Sequence, residues 1–231
     1  MTPGTVTIHL MSRENMHPDA AWHVLSPAER ARAEAFVFPA HAAFWVACRA
    51  FLRRTLAEEI HVPPEDVPLA ISGFGKPYLA APYDRLHFSL SHCEDLALLA
   101  LCTDGPVGVD VEPASRAAEV IGCEAGFCHP QEILTLPTDE TARADRLLEI
   151  WTAKEALLKA LGTGFSHAPE TVRILGETAV SDSSLPGIEA QGLRKLRHAS
   201  LDAHTAALAS PSSVSRIAIL AAKKTATHAY P

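Results

Sequence analysis

Leu148–Phe165 reads LEIWTAKEALLKALGTGF, and the fold turns on how this stretch divides its side chains between two faces. At about 100° per residue, Ile150, Ala153, Leu157, Ala160 and Leu161 fall on one arc, and Trp151, Lys154, Glu155 and Lys159 on another. The spacing predicts a helix that packs the apolar arc on a core and ends at Gly162-Thr163-Gly164. The second arc gathers a carboxylate, two ammonium groups and an indole. An amphipathic surface helix with a Glu155–Lys159 ion pair four residues apart shares these features, so the decision rests on what lies upstream.

Val107–Glu112 reads VGVDVE. Side chains alternate in an extended strand, so Asp110 and Glu112 leave one face while Val109 and Val111 leave the other. At ~3.3 Å of rise per residue the two acidic residues stand about 7 Å apart, a spacing that lets them share a hard cation. With Glu155 as a third carboxylate they make an oxygen-rich site with positions left for water and phosphate, the usual arrangement for Mg2+.

Working outward, Val6, Ile8 and Leu10 alternate with Thr7 and His9 in an N-terminal strand. Ser26-Pro27-Ala28-Glu29 matches a capping box with proline at the first helical position. A longer helix is predicted over 40–60, with Phe44, Ala47, Phe51, Leu52 and Leu56 toward the core. Ile71–Leu79, with Gly73, Gly75 and Pro77, reads as a loop with Lys76 at its exposed point. Leu86, Phe88 and Leu90 alternate in a strand, and Leu96–Cys102 is a fully apolar one. Asp104-Gly105-Pro106 turns into VGVDVE. His129-Pro130-Gln131-Glu132 resembles a helix start, and 172–175, 206–209 and 214–221 supply further strands. Ser181–Ser184 with Pro186-Gly187 reads as an exposed loop. The class is α+β, with no internal sequence repeat.

The set GKPYL (Gly75–Leu79), FSLSH (Phe88–His92), VGVDVE and WTAKEALLKALGTG resembles the Sfp-type 4′-phosphopantetheinyl transferases in content, order and approximate spacing. That resemblance implies two similar-sized α+β halves related by a pseudo-twofold, residues 1–106 and 107–231, with coenzyme A in the cleft between them. It implies transfer of 4′-phosphopantetheine from coenzyme A to a serine of an apo acyl or peptidyl carrier protein, with release of 3′,5′-ADP. Asp110, Glu112 and Glu155 then hold Mg2+. Lys159 reaches the pyrophosphate, and Glu155 takes the serine proton. Lys76, with the adjoining Pro77, and Ser91 and His92 contact the 3′-phosphate and ribose. Lys154 serves phosphate or pairs with Asp145 or another surface acid. Where the family usually carries a basic residue, this chain has His41-Ala42-Ala43-Phe44, with Arg30, Arg32 and Arg49 as the nearby alternatives. Cys93 stands where a small hydroxyl residue is common.

The chain has 231 residues, 48% of them hydrophobic, enough for a substantial core. A formal charge of -7 without a basic tail argues against nucleic acid as a partner. The N-terminus lacks the features of a secretory signal, and no apolar run approaches the ~18 residues of a membrane span, so a cytoplasmic protein without a membrane partner is expected; the family resemblance, with both halves in one chain, implies a monomer. Five cysteines with no paired C-x-x-C spacing suggest neither a disulfide framework nor a zinc module. Two function classes remain: the transferase, and a non-catalytic module binding carrier proteins or coenzyme A. The complete set of Asp110, Glu112, Glu155 and Lys159 favours the enzyme. A different Mg2+-dependent phosphoryl transferase lacks its glycine-loop signature here.

Overall fold

The computed structural model describes residues 2–15, 21–181, 187–188, 191–196 and 201–221. The loop expected after Ser181 falls outside these residues across 182–186. Ser181 itself ends a strand.

The same succession of elements occurs twice. In the first half, β1 (Thr5–Ser12) is followed by a short α1 (Pro27–Glu34) and a long α2 (Pro39–Ile60). A hairpin of β2 (Leu69–Ile71) and β3 (Pro77–Leu79) then leads into β4 (His87–His92) and β5 (Leu96–Cys102). In the second half, β6 (Gly108–Pro113) is followed by a short α3 (Pro130–Ile133) and a long α4 (Glu140–Leu161). A hairpin of β7 (Val172–Leu175) and β8 (Thr178–Ser181) leads into β9 (Gln191–Lys195) and β10 (His204–Pro211). Both long helices have 22 residues, and the sheet orders β1-β5-β4 and β6-β10-β9 correspond. A final strand, β11 (Arg216–Ala221), returns to pair parallel with β1. The molecule is thus α+β in two halves.

Period-2 burial explains how the layers stack. Val6, Ile8 and Leu10 of β1 share one core cluster with Leu98 and Ala100 of β5, Val109 and Val111 of β6 and Leu208 of β10. The other face of β5 packs Ala97, Leu99 and Leu101 against Phe51, Leu52 and Leu56 of α2. The other face of β10 packs Ala207 and Ala209 against Ala156, Leu157 and Ala160 of α4. The order is helix, sheet, sheet, helix. Because β5 is covered on both sides, its run LALLALC is apolar without alternation.

The capping box forms as predicted, with the Glu29 amide donating to Ser26 Oγ and the Ser26 amide to Glu29 Oε2. The long helix begins at Glu140, capped by Asp139, earlier than the quoted stretch shows, and ends at Gly162 with φ 71°. The expected loop at Ile71–Leu79 is instead the turn of the β2–β3 hairpin with parts of both strands. Among the described residues no helix is long and apolar enough to cross a membrane.

Candidate active site

α4 lies across the face of β6 opposite its valines, and the two backbones approach so closely that only glycine fits between them. A Cβ at Gly108 would stand 1.9 Å from the Ala156 carbonyl oxygen and 2.4 Å from the Ala160 amide nitrogen. This contact lays Trp151, Glu155 and Lys159, one helical turn apart, along Glu112 and Asp110.

Asp110 is buried, 4% exposed. Its Oδ1 accepts hydrogen bonds from Lys159 Nζ at 2.6 Å and Ser91 Oγ at 2.8 Å, whereas Oδ2 is buried with no partner among the described residues. Glu112 accepts from Arg116 Nη1 at 2.7 Å and Trp151 Nε1 at 3.4 Å. Burial pushes the Glu155 carboxyl above the usual carboxylate range; Lys159 opposes the shift, and Asp110 and Glu112 add to it. Lys159 is therefore bonded to Asp110 across the elements, not to Glu155 along the helix. Among the described residues, the one group of three His, Cys, Asp or Glu side chains with ligand atoms all within 4.8 Å of one another is Cys93, Asp95 and His204. The three acids beside α4 are neighbours at wider spacing, with Glu112 bonded to Arg116.

Serines join the halves at this point. Ser89 Oγ accepts from the Val109 amide at 3.1 Å, so alternate hydroxyls of β4 serve the backbone and the acid of β6. His92, at the end of β4, packs its ring edge-on against Phe44 at 5.0 Å. Burial, then the Lys159 ammonium, holds its imidazole below the ordinary range, which favours the neutral ring. It opens onto a cleft whose two lobes, about 850 and 700 Å3, share Arg13, His92, Cys93 and Glu94. One lobe reaches Phe44 and the other Glu112 and Arg116, so both halves line it. Arg13, at the end of β1, was not singled out in the sequence; a lone arginine after a strand gives no signal of its own.

Two family models divide this architecture between them. One, for the 4′-phosphopantetheinyl transferase superfamily, matches residues 106–209; the other, for the 4′-phosphopantetheinyl transferase N-terminal region, matches 14–104. The chain belongs to the 4′-phosphopantetheinyl transferase superfamily. Similar relatives include the 4′-phosphopantetheinyl transferase HetI of Nostoc sp., 33% identical over 63% of this chain and 63% of that protein. The mouse L-aminoadipate-semialdehyde dehydrogenase-phosphopantetheinyl transferase is 30% identical over 62% of this chain and 50% of its own length. The 4′-phosphopantetheinyl transferase gsp of Aneurinibacillus migulanus is 30% identical over 49% and 46%. The matches thus span between about half and two thirds of the length of these curated relatives.

Several basic residues in this phosphopantetheinyl transferase fold take positions that their spacing did not suggest. Lys154, expected to serve phosphate or to pair with a surface acid, is 1% exposed and pairs with a buried one. Its ammonium donates to Glu132 Oε2 at 2.6 Å, Phe127 O at 2.7 Å and Pro169 O at 3.1 Å, which uses all three donors. Burial lowers its basicity and Glu132 opposes that. Glu132 in turn accepts from the amides of His129 and Ile174, so this pair ties α3, α4 and β7 together. Lys154→Met is expected to cost about 3–5 kcal/mol of stability in urea titration, because it strands a buried carboxylate. A large rise in KM for coenzyme A with unchanged stability would return Lys154 to the cleft.

Ser91, expected as a donor to ligand, is 5% exposed and gives its proton to Asp110 while accepting from Lys159 at 3.0 Å. It positions the acid. Lys76 is half-buried, not exposed, and its Nζ donates across the interface to Val107 O at 3.3 Å and Ala160 O at 3.0 Å. Burial lowers its pKa to about 8. With Pro77, Phe88 and Lys159 it lines a cavity of about 240 Å3. Trp151 packs edge-on against Phe127 at 5.4 Å within its own half. Arg49 is committed to Glu29 at 2.9 Å, and Arg32 lies over the Trp45 ring at 5.6 Å.

Proposed function

We propose that this protein transfers the 4′-phosphopantetheine group of coenzyme A to a serine of an apo acyl or peptidyl carrier protein, releasing 3′,5′-ADP. The observation that carries the reading is the meeting of Asp110, Glu112, Glu155 and Lys159 on β6 and α4, with Glu112 also lining a cleft to which both halves contribute. The halves divide near Gly105–Val107, so each contributes one wall.

The acids fit a divalent cation. The Asp110 oxygen left without a partner among the described residues is a costly group unless a ligand satisfies it, and burial, with the neighbouring Asp110 and Glu112 carboxylates adding to it, raises the Glu155 carboxyl. Asp110, Glu112 and Glu155 would hold Mg2+, which when bound neutralises charge on the pyrophosphate oxygens. Glu155, beside the position of the incoming serine hydroxyl, takes its proton. The serine oxygen forms its bond to the phosphorus that carries pantetheine, and the bridging P–O bond to 3′,5′-ADP breaks. Lys159, 31% exposed and fixed by Asp110 and Ser91, meets the charge that develops on the leaving phosphate. His92 and Lys76 hold the ribose and 3′-phosphate from the first half.

Transfer is read directly as the mass gained by a carrier protein. A finer test uses Lys76, whose pKa of about 8 means that the ammonium charge is present below that pH and lost above it. The apparent KM for coenzyme A is expected to climb as pH rises through about 8 in the wild-type protein. In Lys76→Arg it should stay flat, because guanidinium does not titrate there. A flat wild-type profile would remove Lys76 from the phosphate site.

A further inference from the structure

Cys93, Asp95 and His204 bring a thiol, a carboxylate and an imidazole together from opposite halves of the molecule. Cys93 and Asp95 belong to the turn between β4 and β5, and His204 opens β10. Asp95 Oδ1 lies 2.9 Å from His204 Nε2 and 3.5 Å from Cys93 Sγ. Tetrahedral Zn2+, with bonds of about 2.3 Å to sulfur and about 2.1 Å to oxygen, places those two ligand atoms about 3.6 Å apart. The Cys93–Asp95 pair therefore already stands at ligating separation, and the imidazole needs to retreat by about half an ångström.

The His204 side chain is 8% exposed, so packing holds the ring with its Nε2 on Asp95. All three residues also line the cleft lobe that contains Glu112 and Arg116, which leaves a fourth position open to water. We infer that Cys93, Asp95 and His204 bind one thiophilic divalent cation of the Zn2+ type, which clamps the β4–β5 turn to β10 at the wall of the cleft. A thiolate and an imidazole select against Mg2+, so this site is chemically separate from the all-oxygen set of Asp110, Glu112 and Glu155. The inference is independent of the transfer reading.

The test is titration of the metal-free protein with Co2+ under reducing conditions, followed by displacement with Zn2+. A near-ultraviolet thiolate-to-cobalt charge-transfer band is expected, together with a rise in Tm on adding Zn2+. Cys93→Ser should abolish the band, and His204→Gln should weaken Co2+ binding at least about tenfold. Cys123→Ser, which removes an exposed thiol elsewhere, should leave the band unchanged. Circular dichroism establishes that each variant is folded, and the wild-type titration stands whatever the variants do. Co2+ binding without the band, a band that persists in Cys93→Ser, or no binding by the wild-type protein would each overturn the inference.

Discussion

Asp110→Asn is expected to reduce transfer by at least about a hundredfold while leaving the protein folded. The substitution keeps the shape of the side chain, and the amide oxygen still accepts from Lys159 and Ser91 as Oδ1 does now. What is lost is the charge beside the unpartnered Oδ2, the feature that best marks this residue as a cation ligand. Loss of about 3 kcal/mol of transition-state stabilisation corresponds to that factor. Some stability should be lost as well, because the ion pair with Lys159 becomes a neutral hydrogen bond and the new amide NH2 takes the place of a buried atom with no partner among the described residues. The check is steady-state transfer with Tm measured on the same sample. Full activity in a folded Asp110→Asn variant would remove the assignment of the acidic set.

Gly108→Ala should do the reverse and damage the scaffold first. The added methyl would meet backbone atoms of α4 at 1.9 and 2.4 Å, and a helix backbone cannot turn aside as a flexible side chain does. Either β6 and α4 separate or the strand bends. Overpacking of this kind costs roughly 3 kcal/mol, which lowers Tm by about 6–12 °C in a domain of this size. Because the same contact sets Glu155 and Lys159 against β6, the activity that survives should also fall. An unchanged Tm would mean that the helix does not approach the strand as described.

The two elements at the centre of the site were legible because each obeys a simple period. The valines of VGVDVE enter the core between the sheets while Asp110 and Glu112 face α4, as alternation requires. Trp151, Glu155 and Lys159 share a stripe, as a helix requires. Lys154 was misread for a physical reason: a helical period gives direction but not depth, and its buried partner Glu132 lies 22 residues away. The burial of Lys76 was hidden similarly, since a loop lysine gives no sign that the carbonyls of Val107 and Ala160 await it. The short strands β8 and β9 carry threonine, glutamine, glycine and lysine with little apolar alternation, so they left no period-2 signal. The cluster at Cys93 was invisible for another reason, since His204 and Asp95 are 109 residues apart and only the packing of the two halves brings them together.

The most direct measurement is intact-mass spectrometry of an apo acyl carrier protein and an apo peptidyl carrier protein, each incubated with this protein, coenzyme A and Mg2+, with a parallel EDTA reaction. The account predicts a gain of one phosphopantetheine on at least one carrier, prevented by EDTA and absent with Asp110→Asn. No gain on either carrier, from a folded protein that binds coenzyme A, would contradict transfer and leave a binding module in its place.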